Sequence, residues 1–220
     1  MSGEWPALSF RGAQSPYEAV LGDSLDELHP RLRAYFGAIA TDQAGYGHGV
    51  FDTVGTPRRW LHPFIRLFAG QDVLFPVWER SVPFSVVNSP AREDGRAAVA
   101  AVRTFHFASG DRGMVDLIAA TPEGLVDRLG ARRCFEALFS SRVSDGAFTM
   151  RSTRVSIRVG RLRIRVPAAL APQVSLVEKF DDESDRQHVE VIMTMPLLGR
   201  VYEYAGYFSY QVQALPGACG

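Results

Sequence analysis

Two carboxylic acids, Glu178 and Asp116, occupy positions where the sequence pattern predicts apolar neighbours. Within residues 174–180, Glu178 falls on the same alternating face as Val, Leu and Phe side chains, and Asp116 shares its face with Met114 and Ile118. A carboxyl group without water is costly unless it is paired or protonated. Burial also raises its pKa towards values suited to general acid catalysis. The pattern therefore predicts either acid–base chemistry in a dry interior or a structural ion pair.

Polar partners for these acids lie on neighbouring predicted strands. Arg103 shares a face with Val, Ala and Phe side chains, so it is a candidate inward cation, whereas His106 lies on the opposite face. A row of aromatic side chains on the last strand could line a cavity and supply phenol hydroxyls. This row consists of Tyr202, Tyr204, Phe208 and Tyr210.

The run Gly22-Asp23-Ser24-Leu25 matches the signature of the GDSL esterases and lipases. Asp185 and His188 also have the spacing of the other two triad members. A catalytic serine of this kind needs a strand-to-helix turn, however, and residues 17–21 have a helical pattern. A helix stop followed by an N-cap at Ser24 is the favoured interpretation, and esterase activity is an unfavoured alternative.

Three further patterns are interpreted as structural. The glycine-rich segment 45–49 resembles a phosphate-binding loop, but it leads into a strand and is interpreted as a flexible turn. An arginine row at 158, 161, 163 and 165 is interpreted as a solvated strand face. The five histidines have no metal-ligand spacing, so no metal site is predicted.

Composition excludes several classes of function. The 220 residues are 46% hydrophobic and 22% charged, and 24 basic residues balance 24 acidic ones. Such a chain has no net field to attract nucleic acid or an anionic membrane. Cys134 and Cys219 provide neither a disulfide framework nor a zinc site. We find no secretion signal and no membrane-spanning run, so the prediction is a cytoplasmic protein whose partner is a small molecule.

Helical patterns come first in the chain. Ser15 to Glu18 forms a capping box for a short helix that Gly22 ends, and Ser24 to Tyr35 predicts a second helix that is broken or kinked near Pro30. A third helix starts at Thr56-Pro57 and ends at Gly70, and its apolar composition predicts that it is buried or covers a pocket. Strand patterns cover Val50–Val54, Val82–Asn88, Ala97–Phe107, Gly113–Ala120, Cys134–Val143, Phe148–Val159, Arg161–Val166, Val174–Phe180, His188–Met195 and Arg200–Tyr210.

Many short strands without a βαβ rhythm favour a barrel or a sandwich. We predict a mainly β fold, an antiparallel β-barrel of about ten strands with an internal cavity, N-terminal helices and one helix inserted after the first strand. The whole chain, 1–220, is predicted to be one domain. It divides into a helical segment at 1–45 and a barrel at 50–212 that includes the helix 57–69.

Several motifs resemble a bacterial domain-of-unknown-function family, number 4166, over nearly the whole chain. They are Tyr17 through Arg33, Arg103-x-Phe105, Asp127-x-x-Gly130, Pro167-x-x-Leu170-Ala171-Pro172, Glu178, and Pro196-Leu197-Leu198-Gly199 followed by Tyr204-x-Gly206. A stand-alone member of this family is similar to the spiroacetal cyclases of polyketide biosynthesis, of the ossamycin and oligomycin type, which are β-barrels with polar residues in the cavity.

This resemblance implies cofactor-independent dehydrative cyclisation of a dihydroxyketone polyketide. The catalytic residues would be Glu178 and Asp116 as acid and base, in either order, with Tyr204 as relay. Arg103, His106, Tyr202 and Trp60 would bind the substrate. The alternative is a barrel that binds or carries an apolar small molecule without turnover.

Overall fold

The computed structural model describes residues 14–69, 73–159 and 162–215, which contain three α-helices and eleven β-strands. The helices are α1 (Pro16–Leu21), α2 (Pro30–Phe36) and α3 (His62–Ala69). The strands are β1 (Gln43–Gly55), β2 (Trp78–Glu93), β3 (Arg96–Phe107), β4 (Gly110–Thr121), β5 (Gly124–Leu129), β6 (Phe135–Ser144), β7 (Ala147–Val159), β8 (Leu162–Arg165), β9 (Gln173–Asp181), β10 (Arg186–Met195) and β11 (Gly199–Ala214). No helix among these residues is both long and apolar enough to cross a bilayer.

Ten strands close into an antiparallel barrel. The order β6-β5-β4-β3-β2-β1-β11-β10-β9-β7 returns to its start because β6 also pairs with β7, and β8 extends the sheet beside β7. Closure leaves the ten barrel strands without a free edge. Alternate side chains of every strand therefore point into a common interior.

The helices lie at opposite ends of this barrel, as their contacts along β11 show. Tyr35 of α2 packs edge-on against Phe208 and Tyr210, near the end of β11. Near the start of that strand, Tyr202 clusters with Leu61 and the α3 residue Ile65. The interior is therefore covered at one end by the N-terminal helices and at the other by α3.

The sequence predicted the class and nearly all elements of this fold, with three corrections. The helix predicted over 24–35 is broken before Pro30, which the prediction allowed, but its first part is a 3₁₀ helix, Gly22–Glu27, rather than an α-helix. Residues 124–129, which were not predicted as a strand, form β5. The third helical segment begins as a 3₁₀ helix, Arg59–Leu61, before α3. The predicted helix end at Gly70, together with Arg161 and Cys219, lies outside the described residues.

The glycine-rich segment 45–49 is not a flexible turn, since it forms the first half of β1 between β2 and β11. Gly45, Gly47 and Gly49 lie on the same face of the strand; Gly47 and Gly49 pair with Tyr210 and Phe208 of β11, and a Cβ added at Gly45 would collide with the Tyr210 hydroxyl. A Cβ added at Gly47 would stand 2.7 Å from a methyl group of Val86. The missing side chains provide the space in which the β11 rings pack.

We expect Gly49→Ala to destabilise the fold by about 2 kcal/mol or more, because its Cβ would lie 2.6 Å from the Phe208 Cα, which belongs to the backbone and cannot turn aside. Gly113→Ala is the matched control, since nothing lies within 4 Å of its added Cβ. Urea unfolding of both variants provides the measurement. Equal stability of the two variants would contradict this account of the glycine segment.

Candidate functional site

Five polar side chains lie inside the barrel and form a set that we call the polar layer. It comprises Arg103 on β3, Asp116 on β4, Asp127 on β5, Glu178 on β9 and Gln187 on β10. Asp116, Glu178 and Gln187 are fully buried, with exposed fractions of 3%, 5% and 3%. Each follows the inward alternation of its strand, so the sheet itself directs these groups into the interior.

Arg103 and Asp116 form an ion pair inside the barrel. The guanidinium Nη1 of Arg103 donates to Oδ1 of Asp116, and the Asp116 side chain is only 2% exposed. Burial raises the pKa of Asp116, while the Arg103 guanidinium in contact with it favours the carboxylate. The charge of Asp116 raises the pKa of Arg103, so this pair is the one compensated pair of charges in the polar layer.

Asp127 is a third interior acid, which the sequence analysis did not select. It lies opposite Ile118 and Ala137, both of which belong to the interior cluster. Its Oδ1 atom is buried and has no hydrogen-bond partner. Burial, reinforced by the negative charge of Asp116, raises the pKa of Asp127 well above its usual value. The alternation of Leu125, Asp127 and Leu129 in the short strand β5 was the signal for this residue.

Glu178 lies on the far wall of the barrel, four strands from Asp116 through β5, β6 and β7. It accepts a hydrogen bond from Nε2 of Gln187, and no cation pairs with it among the described residues. Burial raises the pKa of Glu178 to about 7, although the Gln187 hydrogen bond and the charge of Arg103 oppose that rise. Glu178 is therefore half protonated near neutral pH.

Tyrosine side chains lie near these acids, two from the helices and one from β11. The charges of Glu178 and Asp116 both raise the pKa of Tyr17 in α1, beyond the effect of burial. Burial raises the pKa values of Tyr35 in α2 and Tyr204 in β11. The charge of Glu178 adds to that rise and the charge of Arg103 opposes it. The N-terminal helices therefore complete the polar layer, a role that their apolar spacing alone did not reveal.

A polar cavity of about 10 Å³ lies within this layer. That volume is on the order of what one water molecule requires. The lining residues include Tyr17, Tyr35, Asn88, Arg103 and Asp116. The Asn88 Oδ1 atom is also buried without a hydrogen-bond partner, which makes the site polar enough to hold an ordered water.

A second cavity, of about 490 Å³, lies beneath α3. Side chains of the β5, β6, β7 and β10 strands line it, and α3 and the segment 166–174 cover it. Nearly all of the lining is apolar; the polar members are Tyr202 and Glu136. We call this space the apolar cavity. Of the two alternatives predicted for the third helix, that it is buried or that it covers a pocket, the structure shows the second.

The polar layer and the apolar cavity are neighbours along the barrel. Leu129 and Ala137 line the apolar cavity, and Asp127 is directly opposite Ala137 and two residues from Leu129 on the same face. Tyr204 follows the cavity residue Tyr202 by two positions on β11. One step along each of these strands therefore leads from apolar lining to ionisable groups.

The structure brings four predicted residues together and separates the others. Glu178, Asp116, Arg103 and Tyr204 belong to one electrostatically connected interior. Tyr202 and Trp60 line the apolar cavity instead.

His106 requires a correction. It was predicted to bind substrate, but it is exposed on the outer face of β3, where its Nδ1 lies 2.9 Å from Oδ1 of Asp111. Strand alternation directs it away from the interior that Phe105 and Phe107 enter.

The esterase motif is not assembled as a triad. Ser24 lies in a 3₁₀ helix rather than at a strand-to-helix turn. Asp185 pairs with Arg31 at 3.1 Å, and His188 packs edge-on against Tyr207, with 4.7 Å between the ring centroids. Each of the two supposed partners of Ser24 is therefore engaged elsewhere.

The predicted solvated arginine face is partly engaged. Arg163 forms an ion pair with Glu136, a buried acid on β6.

Among the described residues, no group of three or more His, Cys, Asp or Glu side chains is arranged to hold a metal ion. The carboxyl groups of the polar layer thus share a space without forming a ligand set.

We expect the stability of the protein to fall as pH rises from about 4.5 to about 7, because Glu178 binds its proton more tightly in the fold than in the unfolded chain. A pKa raised this far corresponds to roughly 3 kcal/mol across that window. Glu178→Gln retains an acceptor for Gln187 and removes the titration. Urea unfolding at pH 5 and pH 7.5 should show that the parent loses about this much more than the variant. The same loss in both proteins would contradict the assignment, since the other acids titrate in both.

Comparison with known proteins identifies the family without giving a function. Neither the search of curated proteins nor the search of solved structures found a match. A family model described as a domain of unknown function, DUF4166, matches residues 28–208, which span the barrel from α2 to β11. The chain therefore belongs to the DUF4166 family of domains of unknown function.

Proposed function

We propose that this protein is a cofactor-independent acid–base catalyst that cyclises an apolar small molecule with loss of water, forming a spiroacetal from a dihydroxyketone polyketide. The observation that carries the proposal is the charge imbalance of the polar layer. Three interior carboxyl groups share one arginine, and only Asp116 contacts it. A barrel that merely needed a filled core would not require ionisable groups there, since apolar side chains of similar volume are as stable or more so.

The imbalance supplies both an acid and a base. Because one buried cation compensates one buried anion, we assign the negative charge to Asp116. Burial raises the pKa of Glu178 to about 7 and the pKa of Asp127 well above its usual value, so both groups favour the protonated form more than an exposed carboxyl group does. Titratable groups whose environments separate their protonation states are the usual basis of acid–base assignments. Glu178 is the proposed acid, and the Asp116 carboxylate is the proposed base.

The reaction needs these two roles in sequence. One hydroxyl of the substrate adds to the ketone and forms a hemiacetal. Glu178 then donates its proton to the hemiacetal hydroxyl, the C–O bond breaks, and water leaves an oxocarbenium ion. The second hydroxyl attacks this carbon, and its proton passes to the Asp116 carboxylate, with Tyr204 as the proposed relay. The net change is the loss of one water molecule, with no oxidation or reduction, and the proton gained by Asp116 returns through water to Glu178 before the next turnover.

Three side chains near the reacting groups are not completely buried. Arg103, Asp127 and Tyr204 point inward yet keep part of their surface accessible, and the side chain of Arg103 is 19% exposed. Inward-facing side chains of a closed barrel retain accessible surface only where the interior is not fully packed. An oxocarbenium ion formed here would be shielded from bulk water and close to a carboxylate.

Binding without turnover is the second candidate function. The observation that favours it is the size and apolar lining of the apolar cavity, which falls within the range of small-molecule sites. In that case the Arg103–Asp116 pair would be structural, and no variant of the polar layer would change a reaction rate.

We expect Glu178→Gln and Asp116→Asn each to slow cyclisation of a dihydroxyketone substrate by roughly 10²-fold or more, the usual effect of removing a general acid or base. The parent rate should fall as pH rises through about 7, where Glu178 loses its proton, and Glu178→Gln should lack that limb. The measurement is the rate at which the substrate loses water, monitored by mass spectrometry.

Glu190→Gln is the matched control. Glu190 lies on β10 between Val189 and Val191, which point inward, so its own side chain points outward. Parent rates in all three variants would refute the catalytic proposal, as would ligand binding with no dehydration by the parent protein.

A further inference from the structure

We propose that the apolar cavity binds an uncharged hydrocarbon segment of the substrate, which enters between α3 and the turn at 167–171 and places the oxygenated segment against the polar layer. This inference rests on the proposed function only in identifying the bound molecule as the substrate. It deepens that function, because it specifies an amphiphilic substrate with its apolar and reacting parts at different levels of the barrel.

The first observation is that the polar groups of the cavity lining are already engaged. The hydroxyl of Tyr202 accepts a hydrogen bond from the backbone N–H of Phe75 at 3.4 Å. The carboxylate of Glu136 is held by Arg128, whose Nε lies 3.1 Å away, and by Arg163. A charged ligand group would therefore lose its hydration in this cavity without meeting an unpaired charge, whereas a hydrocarbon segment would lose nothing.

The second observation is an apolar mouth. Trp60, Phe64 and Leu170 line the cavity, yet they remain 52%, 57% and 64% exposed. Trp60 and Phe64 pack edge to face, with ring centroids 6.5 Å apart, beside the start of α3. Large apolar side chains that are both exposed and cavity-lining mark the route by which an apolar molecule would enter.

The third observation is that the ionisable groups lie at the end of the apolar cavity away from its mouth. The floor of the apolar cavity includes Ala137 and Leu129, and Asp127 stands opposite Ala137 on the neighbouring strand. A molecule that entered past Trp60 would meet apolar lining first and ionisable groups last. Its ketone and hydroxyl groups would then lie next to the acids, and its hydrocarbon segment would remain beneath α3.

Binding of the uncharged fluorophore N-phenyl-1-naphthylamine tests this inference without requiring turnover. The parent protein should bind it with enhanced fluorescence, and Leu170→Glu should weaken binding at least tenfold by placing a charge at the mouth. Leu170 lies in an exposed turn, so this change should not affect folding. Leu197→Glu, in an exposed turn outside the cavity lining, is the matched control and should bind as the parent does.

No binding by the parent, or equal binding by the parent and Leu170→Glu, would overturn the inference. Glu178→Gln separates it from the proposed function, because this variant should bind the fluorophore normally while cyclisation slows. Turnover by a protein that fails to bind the fluorophore would reject the cavity assignment alone. Binding by a parent that never dehydrates a substrate would reject the catalytic proposal alone.

Discussion

The central constraint in this structure is the presence of three carboxyl groups and one guanidinium in the interior of a closed barrel. Water is largely excluded there, so each uncompensated negative charge is expensive. The protein meets this constraint by pairing Asp116 with Arg103, while burial raises the pKa of Glu178 to about 7 and that of Asp127 well above its usual value. Burial therefore favours the protonated forms of these two acids, which can act as proton donors in an otherwise apolar interior.

The barrel and its helices each contribute to the exclusion of water from these acids. Closure through the β6–β7 pairing removes the sheet edge that water could reach. Tyr17 and Tyr35 of the N-terminal helices cover the polar layer, while α3 covers the apolar cavity at the other end of the barrel. The glycines of β1 allow the β11 aromatic rings to fill the wall beside Tyr35. Removing any of these covers would restore hydration to the acids and return their pKa values towards the ordinary range.

Strand alternation explains how much of the site could be predicted from sequence. An alternating run with one acid among Val, Leu and Phe is unambiguous about direction, and this was sufficient for Glu178, Asp116 and their partner Arg103. Asp127 was not predicted as an interior acid because β5 has only six residues and follows a tight turn. A pattern this short cannot be distinguished from that of a loop. The contributions of Tyr17 and Tyr35 depend on how the helices dock, which local spacing does not encode.

The errors can also be traced to particular residues. Gly45, Gly47 and Gly49 are typical of turns by composition, but β1 uses them for close packing against β11, a tertiary requirement. His106 follows the outward alternation of β3, and its type alone suggested chemistry that its direction does not permit. The position of a residue in the strand alternation therefore predicts whether its side chain enters this interior better than its chemical type does.

The most direct test is a carbon-13 NMR titration of the side-chain carboxyl groups in the folded protein, with the Glu178 signal identified by its loss in the Glu178→Gln spectrum. This carboxyl should titrate near pH 7, far above the ordinary value of 4.5. A Glu178 signal that titrates near 4.5 would show that the group is hydrated and ionised, and it would contradict the claim that burial in the barrel raises the pKa of this acid into the neutral range.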